Sequence, residues 1–84
     1  MTQLLYFAWV KEKTGIASED VELPEGLATI AELISWLKTR GPEFEAAFEQ
    51  EASIRAAIDQ THAKQDAPIK GAREIAFFPP VTGG

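Results

Sequence analysis

One stretch of this chain carries a full set of helix signals, and it is short. In TIAELISWLKTRGP, Thr29 and Glu32 stand three residues apart as a capping box, each able to satisfy a backbone N–H that a helix start leaves unpaired. Ile30, Leu33, Ile34 and Leu37 follow at the i, i+3, i+4, i+7 spacing of one buried stripe. Gly41 and Pro42 are placed to end it, as the residue past the last turn and the proline that cannot continue the ladder. The other apolar runs (LLYFAWV, DVELP, IRAAIDQ, REIAFF) have strand length. One main helix must therefore cover a sheet of roughly four or five strands, and it can cover only one face.

Alternation assigns the faces. Leu4 to Val10 is expected to be a single strand, with Leu4, Tyr6, Ala8 and Val10 on one side and Leu5, Phe7 and Trp9 on the other. Gln3 and Lys11 bracket the second set, which marks it as the outer face. KEKTG turns the chain, with Gly15 free to take positive φ. Asp20 to Pro24 forms a second strand with Val21 and Leu23 inward. Phe44 and Phe48, four apart in EFEAAFEQ, anchor a second helical piece. Ile54, Ala56 and Ile58 alternate as a strand that Asp59 and Gln60 turn into THAKQ, and DAPIKG is a loop. Arg73 to Phe78 is the last strand, with Ile75 and Phe77 opposed to Ala76 and Phe78.

The first and last strands are apolar on both faces, so they belong side by side in mid-sheet. This order reads as an α+β domain of the β-grasp, or ubiquitin-like, arrangement: a mixed sheet over residues 1–78 with an extended tail at 79–84. The uncovered face then presents Leu5, Phe7, Trp9 and Phe78, a patch suited to a partner protein. The alternative is that Phe44, Phe48 or loops fold over it.

Composition narrows the function classes. A chain of 84 residues with 45% apolar content is one globular domain. Thirteen acids against eight bases, net −5, argue against nucleic acid or an anionic membrane as a partner. With no cysteine, the chain has no disulfide, thiolate metal site or cysteine nucleophile. It shows no apolar run of membrane-spanning length and no leader segment, so a cytoplasmic location is expected. His62 is the only histidine and reads as a surface or hairpin residue; no metal or bound cofactor is expected. Glu43, Glu45, Glu49 and Glu51 read as a solvated helix face, with docking to a basic partner surface as the lesser case, and Trp36 as rim packing.

The chemistry is expected in AFFPPVTGG. Pro79 and Pro80 lack N–H donors and fix φ, so they end the ladder and launch an extended chain. Pro79 to Gly84 spans roughly 20 Å when extended. With Val81 and Thr82 in the path and no side chain on Gly83 or Gly84, such an end can thread a channel too narrow for a Cβ. Its carboxylate is a poor electrophile until activated, most simply as an acyl-adenylate made with ATP by a partner. This chain would be the carried group and not the catalyst.

At this point the sequence resembles the MoaD family, the small subunits of molybdopterin synthase. AFFPPVTGG is similar to that family's C-terminal signature, YFAWVKEKTG to its opening, and IDQTHAKQDAPIKGAREIAFFPPVTGG to its closing half; Ala17 to Ser53 agrees more in pattern than in identity. The resemblance implies that Gly84 is adenylated by an E1-like enzyme and converted to a thiocarboxylate with sulfur from a donor protein. It implies that Pro79 to Gly83 thread the active site of a large, MoaE-like subunit, where the sulfur passes to cyclic pyranopterin monophosphate in a heterotetrameric synthase. It also places Phe78 at the partner interface. Lys11 stands where that family often has arginine, which exchanges a bidentate fork for a point charge. Asp59 stands where asparagine is common, one turn-former for another. The alternatives are the sulfur carrier of thiazole synthesis, which shares the Gly-Gly end without the FFPPVTG lead-in, and a ubiquitin-like modifier or binding module.

Overall fold

β1 (Thr2–Tyr6) and β5 (Glu74–Phe78) run parallel at the centre of a five-stranded mixed sheet, with Leu4 level with Ile75 and Tyr6 with Phe77. This is the computed structural model of the chain, and it describes residues 1–80. β2 (Ser18–Val21) pairs antiparallel with β1 on one side; β3 (Arg55–Ile58) and β4 (Thr61–Ala63) extend the sheet antiparallel beyond β5. The order β2-β1-β5-β3-β4 buries the two doubly apolar strands in the middle, where both faces can be used.

α2 (Ile30–Lys38) lies over one face with Ile30, Leu33, Ile34 and Leu37 all buried. Its cap forms as the sequence requires on one side: the Glu32 N–H donates to Thr29 Oγ1 at 3.3 Å. The return bond is displaced by one residue, since Glu32 Oε1 accepts from the Ala28 N–H at 3.1 Å. The carbonyls of Gln65 and Ala67 take the N–H groups of Ala31 and Ile30, so the loop before β5 finishes the cap.

Two further helices complete the cover. α3 (Pro42–Ala47) inserts Phe44, and Phe48 follows it into the core. Phe48 meets Phe77 edge to face at 5.1 Å, and Tyr6 stacks on Phe77 at 6.1 Å. Phe44 and Phe48 therefore pack on the covered side, and neither folds over the outer face. Leu4, Ile75 and Phe77 have no exposed surface at all.

Three local expectations are corrected. The apolar run from Leu4 does not continue as a strand to Val10: β1 stops at Tyr6, and Ala8–Thr14 is a helix, α1. Ala8 at φ 52° makes the turn, Val10 and Thr14 are buried four apart, and Gly15 at φ 83° caps the end with its N–H on the Lys11 carbonyl. Periodicity cannot separate strand from helix in an unbroken apolar run; lysines in a last turn followed by glycine were the available signal. Gly41 does not cap α2, which ends at Thr39 with ordinary right-handed geometry; Gly41 is the N-cap of α3, with Pro42 at its first turn. The covering layer is thus α2 together with α1 and α3, because α2 alone is only nine residues long.

Candidate functional site

The uncovered face of the sheet is a grid that the register fixes. One row across it reads Ser18, Leu5, Ala76, Ala57 and His62, on β2, β1, β5, β3 and β4 in turn. Toward the C-terminal ends of β1 and β5 lie Phe7, whose N–H donates to the Phe77 carbonyl at 3.1 Å, and Phe78, paired with Arg55. Toward the other end lie Asp20, Gln3 and Glu74. Leu5 and Phe78 are half-buried, and Phe7 is 48% exposed. Ile16, in the connection between α1 and β2, adds another exposed aliphatic side chain.

The expected outer-face set is thereby divided. Leu5, Phe7 and Phe78 occupy that face as alternation required. Trp9 does not: it sits on α1, partly buried against the core, and its covered Nε1 finds no acceptor among the described residues. Lys11 is likewise on α1, exposed, with its carbonyl taken by the Gly15 N–H at 2.9 Å. Both depart from strand alternation for one reason: after Tyr6 the chain is helical, so the period of two no longer applies.

His62 belongs to this face as well. Its ring stands edge-on to Phe78 at 5.5 Å, which the small side chain of Ala57 between them permits. Arg55 is exposed beside Phe78, and Lys64 is exposed just past β4. The parity of Arg55 with Ala57 and of His62 with Lys64 was the signal that could have drawn these residues into the site.

Pro79 and Pro80 follow Phe78 and are half-buried, so the chain leaves the sheet at the Phe7–Phe78 end. Val81, Thr82, Gly83 and Gly84, which include the proposed reactive terminus, lie outside the described residues.

The strongly perturbed titrating groups sit elsewhere. Tyr6 Oη donates to Glu19 Oε2 at 2.7 Å, and the Arg40 guanidinium grips the same carboxylate with two bonds of 2.7 and 3.0 Å. Burial, then the Glu19 carboxylate, push the Tyr6 hydroxyl well above its ordinary range. Burial works against the Glu19 charge, but the hydrogen bonds from Arg40 and Tyr6 outweigh it and hold that carboxyl below its ordinary 4.5. Arg40 also lies over the rings of Trp36 and Phe44, at 5.3 and 4.8 Å. This cluster ties α2 to the β2 edge on the covered side and does not touch the outer face. No group of three or more His, Asp or Glu residues among those described is arranged to hold a metal ion.

The described part of the site is therefore a partly exposed apolar face with the tail root at one end. The ThiS family model matches residues 4–84, nearly the entire chain. The chain belongs to the ThiS family. Within reach of that assignment are two proteins named molybdopterin synthase sulfur carrier subunit. The one from Haemophilus influenzae is 34% identical and the one from Escherichia coli 33%, each over the full length of both chains. Among solved structures, a molybdopterin converting factor subunit 1 of Pyrococcus furiosus superposes with a TM-score of 0.74 at 27% identity, covering 95% of this chain and 97% of that one. SAMP1 of Haloferax volcanii gives a TM-score of 0.70 at 23% identity, covering 99% and 98%, and speaks to the fold alone. With those neighbours the sheet and its helices are the β-grasp arrangement expected of this ThiS-family chain. No helix among the described residues is long and apolar enough to cross a membrane.

Proposed function

We propose that this chain is the sulfur-carrier subunit of a molybdopterin synthase. The observation that carries the proposal is end-to-end similarity to two proteins of that name, running through AFFPPVTGG. A ThiS-family match alone leaves the thiazole pathway open; these two relatives favour the molybdopterin one.

The chemistry belongs to the Gly84 carboxylate. An E1-like enzyme transfers AMP from ATP to that carboxylate, releasing pyrophosphate. A persulfide on a sulfur-donor protein displaces AMP, and a second thiol cleaves the resulting acyl persulfide, leaving the thiocarboxylate on Gly84 and a disulfide on the donor. The tail, Pro79 to Gly83, then carries the sulfur into the large, MoaE-like subunit. That subunit performs the transfer to cyclic pyranopterin monophosphate in a cytoplasmic heterotetramer. Leu5, Phe7 and Phe78 are the docking surface, and an interface of that kind takes its affinity from a few buried aromatic anchors. Lys11, exposed on α1, is a candidate contact at the rim.

Intact mass of protein isolated from its own cells, without added thiol, tests the reading. A fraction heavier by the difference between a sulfur and an oxygen atom, placed at Gly84 by fragmentation, is the expected result. Deleting Gly84, or adding one residue after it, should abolish sulfur transfer and leave folding intact. A truncated chain that still supports molybdopterin synthesis refutes the proposal. Conjugation to lysines in place of sulfur transfer would indicate a protein modifier.

A further inference from the structure

We propose that Arg55 and Lys64 form a carboxylate-accepting corner of the docking face, which reads an acidic patch on the large synthase subunit. The inference rests on the proposed function and adds the chemistry of the contact.

The end of the β3–β4 ladder sets the corner. β3 and β4 pair Ala56 with Ala63 and Ala57 with His62; Arg55, level with Phe78 on β5, and Lys64, just past β4, line one cavity beyond that ladder. Arg55, His62, Lys64 and Gln65 line an open cavity of about 560 Å³ floored in part by Ala52 and Ile54, and none of the residues lining it is acidic. Among the described residues, the ion pairs are Lys38–Glu51 and Arg40–Glu19, so neither Arg55 nor Lys64 has a carboxylate partner. What sets these two apart from the other exposed cations is that they share one cavity with no acidic residue in its lining.

The same face is graded along the strands. Asp20 and Glu74 lie at the end away from the tail, with Gln3 between them. The tail end carries Phe7 and Phe78 with the two cations alongside. A partner covering this end is complementary only if it brings apolar surface for the rings and negative charge for the corner.

The tail decides which end is covered. Four residues follow Pro80, and they span at most roughly 14 Å. A subunit that holds the Gly84 carboxyl group in its active site therefore lies over the Phe78 end of the sheet, within reach of the cavity. Exposed ion pairs contribute little on their own. An arginine fork closed over a carboxylate in a desolvated interface is stronger and geometrically selective, and it also speeds encounter between opposite charges. His62, edge-on to Phe78 at 5.5 Å, lines the cavity with the two cations.

The test is a binding titration of the full-length chain with the large subunit, at low and at physiological salt. The double reversal Arg55→Glu with Lys64→Glu should weaken binding tenfold or more at low salt. It should also slow association and flatten the salt dependence, with an unchanged thermal midpoint. Asp20→Lys, on the same face at the far end, should stay within twofold of wild type. If wild type binds and the double reversal matches it in affinity and salt dependence, the corner is not an acidic-patch reader, whatever the tail does. If wild type does not bind the large subunit at all, the functional reading fails and this inference with it. Self-association of the wild type, lost in the double variant, would overturn the inference in favour of a second copy as occupant.

Discussion

The two faces of one sheet are built from the same strands and do opposite work. On the covered side, Leu4, Tyr6, Ile75 and Phe77 are sealed beneath α2 and α3, with Phe77 held between Tyr6 and Phe48. On the other side, Leu5 and Phe78 of the same two strands, and Phe7 just past β1, remain partly or largely exposed. Adjacent residues, Phe77 and Phe78, differ only in parity. The lesson is that apolar content in this chain has two destinations, and only the face decides whether a ring is sealed in the core or left partly exposed.

The sharpest way to break that comparison is to truncate the neighbouring rings. Phe77→Ala should cost about 3–5 kcal/mol, through lost burial and the cavity left among Tyr6 and Phe48. A loss of that size can unfold a domain this small. Phe78→Ala should move the denaturation midpoint little, by less than about 1 kcal/mol, while weakening binding to the large subunit. Equal losses of stability from both substitutions would show that the outer face is structural after all.

A smaller effect separates the covered face by pH. Glu19 has its carboxyl held below 4.5 in the folded chain, so its stabilising contribution is complete above that value and fades as pH falls through the lower folded one. Tyr6 behaves in the opposite sense. Its hydroxyl is pushed above the ordinary 10, so the folded state is favoured below pH 10 and loses that advantage as pH rises beyond it. Tyr6→Phe should cost about 1–2 kcal/mol at neutral pH through the lost hydrogen bond to a charged partner. It should also remove the part of the decline in stability above pH 10 that wild type owes to Tyr6. Thermal midpoints of both proteins across the pH range measure it; parallel curves in alkali would contradict the assignment.

A local effect of similar small size concerns α1, the helix that follows β1. Gly15 ends α1 at φ 83°, and a Cβ built there would meet nothing within 4 Å. Gly15→Ala should therefore cost only the left-handed backbone, about 1 kcal/mol. A loss several times larger, read from chemical denaturation, would mean that the α1 terminus makes contacts beyond its cap.

Much of the fold was legible because its signals are local. The stripe from Ile30 to Leu37 and the Thr29 cap need only neighbours in sequence, and they appear where the pattern put them. The pairing of the first and last strands followed from their two apolar faces, and Asp59 and Gln60 turn at φ 49° and 70°. What misled was the run from Leu4 to Val10, where every residue is apolar and no period exists to read. There the tertiary structure chose: after Tyr6 the chain turns at Ala8 and α1 packs on α3, which carries Val10 into the core and takes Trp9 off the sheet face.

The sequence by itself determined the main helix, the central placing of the first and last strands, the outward parity of Leu5, Phe7 and Phe78 and the character of the AFFPPVTGG end, because each depends on residue type and spacing along the chain. Only the tertiary structure decided that Arg55, His62 and Lys64 stand together beside Phe78, with His62 against its ring. Those residues come from β3, from β4 and the residue just past it, and from the last strand, and sheet pairing converts their separation in sequence into adjacency. Asp59 shows the same dependence: its carboxylate oxygen accepts the N–H groups of Arg73 and Glu74 at 3.0 and 2.9 Å, fastening the hairpin turn to the start of β5. Spacing along a chain predicts what a segment becomes; which segments meet is a property of how the sheet is paired.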